Sequence, residues 1–208
     1  MRSILPLFLL AFCLKTVIAQ RSMMIGDCTV TYKISGSDAA TDNNLKGAAK
    51  ILYIKGKMAR ADMIGTNYKQ SVIYDNSSAT AVILKEIGTE KYMSTYSAAE
   101  WKKENKSFEG QTINFTGDTK IILGYECRKA IVTLKDGTYY NIYYTEAIKP
   151  TACENPFHFK EIPGFVLEYE TGGPNRASKI TYTAAMINFD PVPASKFEIP
   201  TSGYRVLK

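Results

Sequence analysis

Alternation of apolar and polar residues at period two runs through most of this 208-residue chain, and a chain patterned in that way folds as strands with one buried face. Cys28, Val30, Tyr32 and Ile34 alternate with Thr29, Thr31 and Lys33, which predicts a first strand. The polar stretch 38–44 predicts a loop. Residues 51–55 and 58–63 predict a hairpin about Gly56-Lys57, and further strands are predicted at 68–74, 80–86 and 91–95, separated by Asp75-Asn76-Ser77-Ser78 and by Gly88. Short strands at this spacing predict a meandering antiparallel sheet. Ser97 followed three residues later by Glu100 is a capping box, so one short helix should run from there to near Asn105 and pack Trp101 on the sheet.

The segment 116–136 reads as one long strand. Ile121, Leu123, Tyr125 and Cys127 share a face, but beyond Lys129 the apolar parity moves to Ala130, Val132 and Leu134. A one-residue slip would turn half of the strand inside out, so a bulge is expected near Arg128-Lys129. Asp136-Gly137 predicts a type I′ turn, and the return strand carries tyrosines on both faces. Pro150, Pro156 and Pro163 make 149–164 a loop across an edge or an opening. Two more strands follow, with Phe165, Leu167 and Tyr169 and then Ile180, Tyr182, Ala184 and Met186 as their apolar faces, joined by Gly172-Gly173-Pro174-Asn175. The tail 190–200 should pack Phe197 and Ile199 onto the body.

Residues 1–19 combine Arg2, an apolar run from Ile4 to Leu14 and a small residue at Ala19, the pattern of a secretory signal peptide cleaved before Gln20. That run is too short for a stable transmembrane helix, and no later run is long enough. The expectation is an exported, periplasmic or extracellular protein, soluble after cleavage, with 20–208 as a single domain. Two of the 26 basic residues, Arg2 and Lys15, fall in the leader, so the net charge drops from +6 to a mild +4. The remaining bases, among them Lys50, Lys55, Lys57, Lys102 and Lys103, are scattered, which argues against nucleic acid as a partner.

Chemistry is sparsely signalled. The one histidine, His158, lies three residues before Glu161, a spacing open to a general-base pair, but no nucleophile motif accompanies it, and a surface or packing role is the stronger expectation. No metal-ligand spacing or cofactor motif is present, and no enzyme activity is expected. Asn76, Asn105 and Asn114 each begin an Asn-x-Ser/Thr sequon, of consequence only in a eukaryotic secretory route. Tyr125, Tyr140, Ile142, Tyr144, Leu167 and Tyr182 are candidates to line an apolar ligand cavity, although by default such residues fill an ordinary core. Cys28, Cys127 and Cys153 follow the leader, enough for one disulfide with one thiol over.

Three blocks carry a resemblance: Gly124-Tyr125-Glu126-Cys127-Arg128-Lys129-Ala130, then Ile162-Pro163-Gly164-Phe165-Val166-Leu167-Glu168-Tyr169, then Pro193-Ala194-Ser195-Lys196-Phe197-Glu198-Ile199-Pro200 with Gly203-Tyr204. Together they resemble secreted bacterial domains of unknown function related to the GLPGLI family, and these are similar in pattern to the LolA/LolB lipoprotein-sorting fold. The resemblance implies a mainly β fold of α+β type, a curved antiparallel sheet or unclosed barrel with a short covering helix. It also implies a non-enzymatic envelope protein whose concavity holds a lipid, a lipoprotein acyl chain or another apolar ligand; the alternative is a structural or interaction module with a packed interior. Because Cys127 belongs to the first block while Cys28 and Cys153 look like additions, the resemblance favours a Cys28–Cys153 disulfide, with Cys127–Cys153 as the rival.

Overall fold

The structure, a computed structural model, describes residues 22–172 and 178–207. The expected signal peptide and most of the Gly172–Asn175 connection lie outside the described residues. In chain order the elements are β1 (Met23–Ile25), β2 (Asp27–Gly36), α1 (Ala39–Asn44), β3 (Ala49–Lys55), β4 (Met58–Gly65), β5 (Tyr68–Asp75), β6 (Thr80–Ile87), β7 (Glu90–Tyr96) and α2 (Ala98–Glu104). They continue with β8 (Thr112–Ile122), β9 (Tyr125–Thr133), β10 (Tyr139–Thr145), β11 (Ile148–Pro150), β12 (Phe165–Gly172), β13 (Lys179–Asn188) and β14 (Arg205–Leu207).

Among the described residues, twelve strands form one sheet in the order β14-β7-β6-β5-β4-β3-β2-β13-β12-β10-β9-β8. All neighbours are antiparallel except β14 on β7, and the sheet does not close. It has to curl. β7 and β8 lie ten strand spacings apart, roughly 48 Å in a flat sheet at about 4.8 Å per spacing. The link between them winds seven residues into α2, which leaves a reach of roughly 40 Å even if the rest were fully extended. The ends of the sheet therefore bend toward each other, and α2 packs against β6 and β7 at one of them.

The expected strands from Cys28 to Thr95 all form, extended by one to three residues, and β2 buries Cys28, Val30 and Tyr32 as the alternation requires. The capping box forms as read: the Ser97 hydroxyl accepts from the Glu100 N–H, and the Glu100 carboxylate accepts from the Ser97 N–H at 2.8 Å. Trp101 is buried against Tyr74 and Tyr96.

Several expectations are corrected. The polar stretch 38–44 is a helical turn and not a loop, because Asp38 caps it by accepting from the Thr41 N–H at 2.8 Å. The segment 116–136 is not one strand but a hairpin, β8 and β9, turning at Leu123-Gly124 with φ of 51° and 81°, the positive pair that a type I′ turn needs. The shift of parity is present, since both Cys127 and Ala130 are buried, yet the extra residues sit on β8, where Thr116, Gly117 and Asp118 face Lys129 alone. At Asp136-Gly137 only Gly137 has positive φ, and the Leu134 carbonyl accepts from Gly137, so this turn is a type I turn with a glycine bulge. The tail packs on the convex side through the buried Val192 and through the Lys196 carbonyl, which accepts from Arg60, while Phe197 is half-buried and Ile199 stays exposed.

The 149–164 segment behaves as expected of a proline-rich loop and does more. Its start forms β11, paired in parallel with β1, and the rest folds into the hollow, burying Ala152, His158 and Phe159. Gly164 then passes so close to the Thr145 carbonyl that a Cβ there would sit 2.1 Å from the oxygen. Only glycine fits this crossing, which gives the Ile-Pro-Gly-Phe segment a steric reason. The main core is the space between the inner faces of β2, β3, β9, β10, β12 and β13 and this covering layer.

A candidate binding cavity in the hollow of the sheet

The inner face of β3 presents Lys50 in line with Leu52 and Ile54, and all three are buried. A buried ammonium needs partners, and here it has several. Its Nζ pairs with the Glu154 carboxylate at 2.5 Å, donates to the Tyr169 hydroxyl, and lies 4.6 to 5.3 Å from the ring centroids of Tyr32, Tyr169 and Tyr182. Burial pulls the Lys50 pKa down, and Glu154 opposes that pull. Tyr169 and Tyr182 stack at 4.8 Å, and Tyr32 meets Tyr169 edge-on while donating to the Val166 carbonyl at 3.2 Å.

His158 sits beside this group. Its ring is stacked between Phe108 at 4.8 Å and Phe159 at 4.7 Å, with Tyr140 and Tyr169 edge-on. Asn155 fixes the turn that carries it, its side-chain oxygen accepting from the N–H groups of Phe157 and His158. Burial first, and the nearby Lys50 charge second, push the imidazole pKa down to about 4, so the ring is neutral at physiological pH. The general-base pairing is not realised: Glu161 is on the surface beside Lys160, and the carboxylate in the hollow is Glu154.

Between these groups and α2 lies a cavity of about 240 Å³ walled by Lys50, Met63, Val72, Trp101, Phe108, Glu154, His158, Phe159, Tyr169 and Tyr182, with Gln70, Asn105, Asn155 and Thr171 contributing polar atoms. Two of its wall residues carry an unsatisfied buried nitrogen, Trp101 Nε1 and His158 Nε2, with no hydrogen-bond partner among the described residues. A second cavity, about 330 Å³ and largely apolar, lies under the 149–154 and 162–164 segments against Tyr32, Leu52, Ile54, Phe165 and Val166, and shares Glu154 and Phe159 with the first.

The six candidate lining residues divide. Ile142, Tyr144, Leu167 and Tyr182 are buried in the main core, Tyr125 packs against it half-buried, and Tyr140 holds His158 edge-on. Of the six, Tyr182 alone lines either of these two cavities. Sequence reasoning missed Lys50, Tyr32, Trp101 and Glu154 as cavity residues. The parity of Lys50 with Leu52 and Ile54 was the available signal for the first, whereas nothing local marks Glu154.

The thiols of Cys28, Cys127 and Cys153 are free, and the Cys28–Cys153 bridge is not formed in the structure. Burial pushes their pKa values up to about 12, about 11 and about 12, far from the thiolate form that would make them reactive. Two of the sequon amides have structural work: Asn76 exchanges hydrogen bonds with the Cys153 backbone, and Asn105 donates to the Trp101 carbonyl. Among the described residues no His/Cys/Asp/Glu group is arranged to hold a metal ion, and no helix is long and apolar enough to cross a membrane.

The model of the family described as N-glycanase peptide, N-terminal domain, matches residues 53–188. No curated protein matches the chain. Among solved structures, PNGF-II is similar in two crystal forms, with a TM-score of 0.53 at 12% identity over 86% of this chain in C2, and 0.51 at 11% over 88% in P21. The chain spans 30% and 31% of those two chains, and at such identity the likeness is one of fold alone. MucB (TM-score 0.40, 10% identity, 85% of this chain and 58% of that one) is more distant. A putative outer membrane lipoprotein-sorting protein domain from Vibrio parahaemolyticus (TM-score 0.24, 8% identity, 83% of this chain and 89% of that one) is more distant still. Neither carries an argument about this chain.

Proposed function

We infer, for a chain that belongs to the N-glycanase peptide, N-terminal domain family, the role of an exported, non-catalytic module: a curved sheet with a self-filled hollow that serves as a rigid interaction body in the cell envelope or outside the cell. The observation that carries this reading is the state of the concave face. Val132, Ile142 and Leu167 have no exposed surface, because the 148–165 segment closes over the sheet and occupies the space an acyl chain would need. Export rests on the leader pattern of residues 1–19. The glycanase activity in the family's description is not carried over, since the chain corresponds to less than a third of PNGF-II. His158, held neutral between two phenylalanine rings, supports a packing role and not a catalytic one. The GLPGLI relationship stays a resemblance of motifs.

A second reading, the carrier expected from the LolA-like pattern, has one observation in its favour. The 330 Å³ apolar cavity is at the lower end of ligand pockets, which run from about 300 to 1,000 Å³, and would take a short acyl chain or one apolar ring. A full-length acyl chain would require the 149–164 segment to leave the hollow. Titration with an environment-sensitive apolar dye separates the two readings. The self-filled module gives no saturable fluorescence increase, whereas stoichiometric uptake displaced by a fatty acid would overturn it.

A further inference from the structure

We propose, on the export reading, that one end of the sheet is a docking rim that sets the module down on the surface of a lipid bilayer. The pairing registers bring the β8–β9 turn, the end of β10, β1 on β11 and the end of β13 to that one end. Exposed large apolar side chains gather there: Met23 and Met24 on β1, Ile121 and Leu123 at the β8–β9 turn, and Met186 and Phe189 at the end of β13, all 41% to 70% exposed. The turns that close the other half of the same end, Gly56-Lys57 and Asp75-Asn76-Ser77-Ser78, are polar. Exposed apolar groups gathered along one rim mark a surface that meets a partner or a membrane.

Three observations choose the bilayer. The first is the hairpin tip. β9 pairs with β10 only as far as Arg128 but with β8 as far as Tyr125, so the tip stands three residues, roughly 10 Å, beyond β10. Ile122 is buried in the core and anchors the tip, while Ile121 and Leu123 on either side of it are exposed. Leu123 is held at φ 51°, a conformation costly for a leucine, and an apolar group kept exposed at a cost to folding has its use outside the fold. The second is charge. Arg128 pairs with Glu146 and Lys55 with Asp27, each at 3.1 Å, and the exposed Lys57 and Lys149 are offset by Glu126 and Asp190, so the rim suits a surface met by apolar contact without net charge. The third is the chain that leads in. The apolar run Ile4–Leu14 of the expected leader joins Met23 through residues 15–22, at most about 28 Å when extended, so the rim stays within that reach of the bilayer until cleavage.

The test is flotation of the chain from Gln20 onward with vesicles of phosphatidylcholine alone and of phosphatidylcholine with phosphatidylglycerol, at low and high salt. The chain should float with both, to an extent that salt does not change. Replacing Ile121→Ser together with Leu123→Asn should lower the bound fraction per unit of lipid about tenfold, by removing two apolar groups from the interface. Should that pair fail to fold, Leu123→Asn alone decides: it relieves the strained turn, so binding should fall while the melting temperature rises, a combination that a purely structural leucine does not give. No flotation with either vesicle overturns the proposal, as does flotation unaltered by the substitutions or flotation confined to the anionic vesicles and lost in salt. A dimer in solution that the same substitutions dissociate, without flotation, would assign the rim to a second copy of the chain and overturn it too. Export is read separately, from the N-terminus of protein recovered from the producing cells, and the filled hollow from the dye titration, so failure of either leaves the flotation result to be judged on its own.

Discussion

Burial turns the chain's one imidazole into a pH-dependent liability. Unfolded, His158 titrates near 6.5; folded, it titrates at about 4 because burial and, second, the Lys50 charge oppose the cation. Between those values the unfolded chain binds the extra proton, so the stability this residue confers is complete above the unfolded pKa and is lost as pH falls through about 4. The full effect is roughly 3 kcal/mol. Chemical denaturation at neutral pH and near pH 4 should therefore show a smaller difference in unfolding free energy for His158→Phe than for the wild type, by about that amount. Equal differences for the two proteins would mean that the ring is not the buried neutral group described. Its burial was only partly legible: the neighbouring Phe159 stacks on the ring, but the other stacking partner, Phe108, lies far away in the chain. The buried Lys50 was hidden among scattered surface lysines, although its parity with Leu52 and Ile54 already pointed inward, and its partner Glu154 comes from a loop whose position no local pattern encodes.

Among the elements, the hairpin of β8 and β9 shows where alternation stops being informative. The pattern runs across Leu123 and Gly124 without a break, because leucine is no turn signal and glycine next to it can sit in a strand. The backbone nevertheless turns there, with Leu123 at φ 51°, a region that costs a side chain with a Cβ about 1 to 2 kcal/mol. Leu123 is also 42% exposed, so its side chain contributes little in return. Leu123→Asn, which supplies the favoured Asn-Gly pair, should raise the unfolding free energy by about 1 kcal/mol and the melting temperature with it. A lower melting temperature would show that the exposed leucine makes a contribution that its position does not explain. The capping box of α2 was fully legible because its two partners lie three residues apart. The Asp38 cap of α1 used the same chemistry in a segment too polar and too short to announce a helix.

At the scale of the whole molecule, the class of the fold follows from period-two patterning and closely spaced turns, and hairpins of neighbouring strands account for most of the sheet. The strand order does not follow. It depends on β2 pairing with β13 and on β14 lying parallel to β7, contacts between residues far apart in the chain that alternation cannot specify. The same holds for the filling of the hollow. Prolines mark 149–164 as a loop, but that it folds inward onto Leu167 and Ile142, and does not cover an open cavity, is a tertiary outcome. The proposed role turns on that outcome, and native mass spectrometry of protein purified without detergent, followed by solvent extraction of the same sample, tests it most directly. It predicts the bare mass of the chain cleaved before Gln20 and no stoichiometric lipid in the extract. A mass increment matched by one extracted acyl lipid per chain would contradict it.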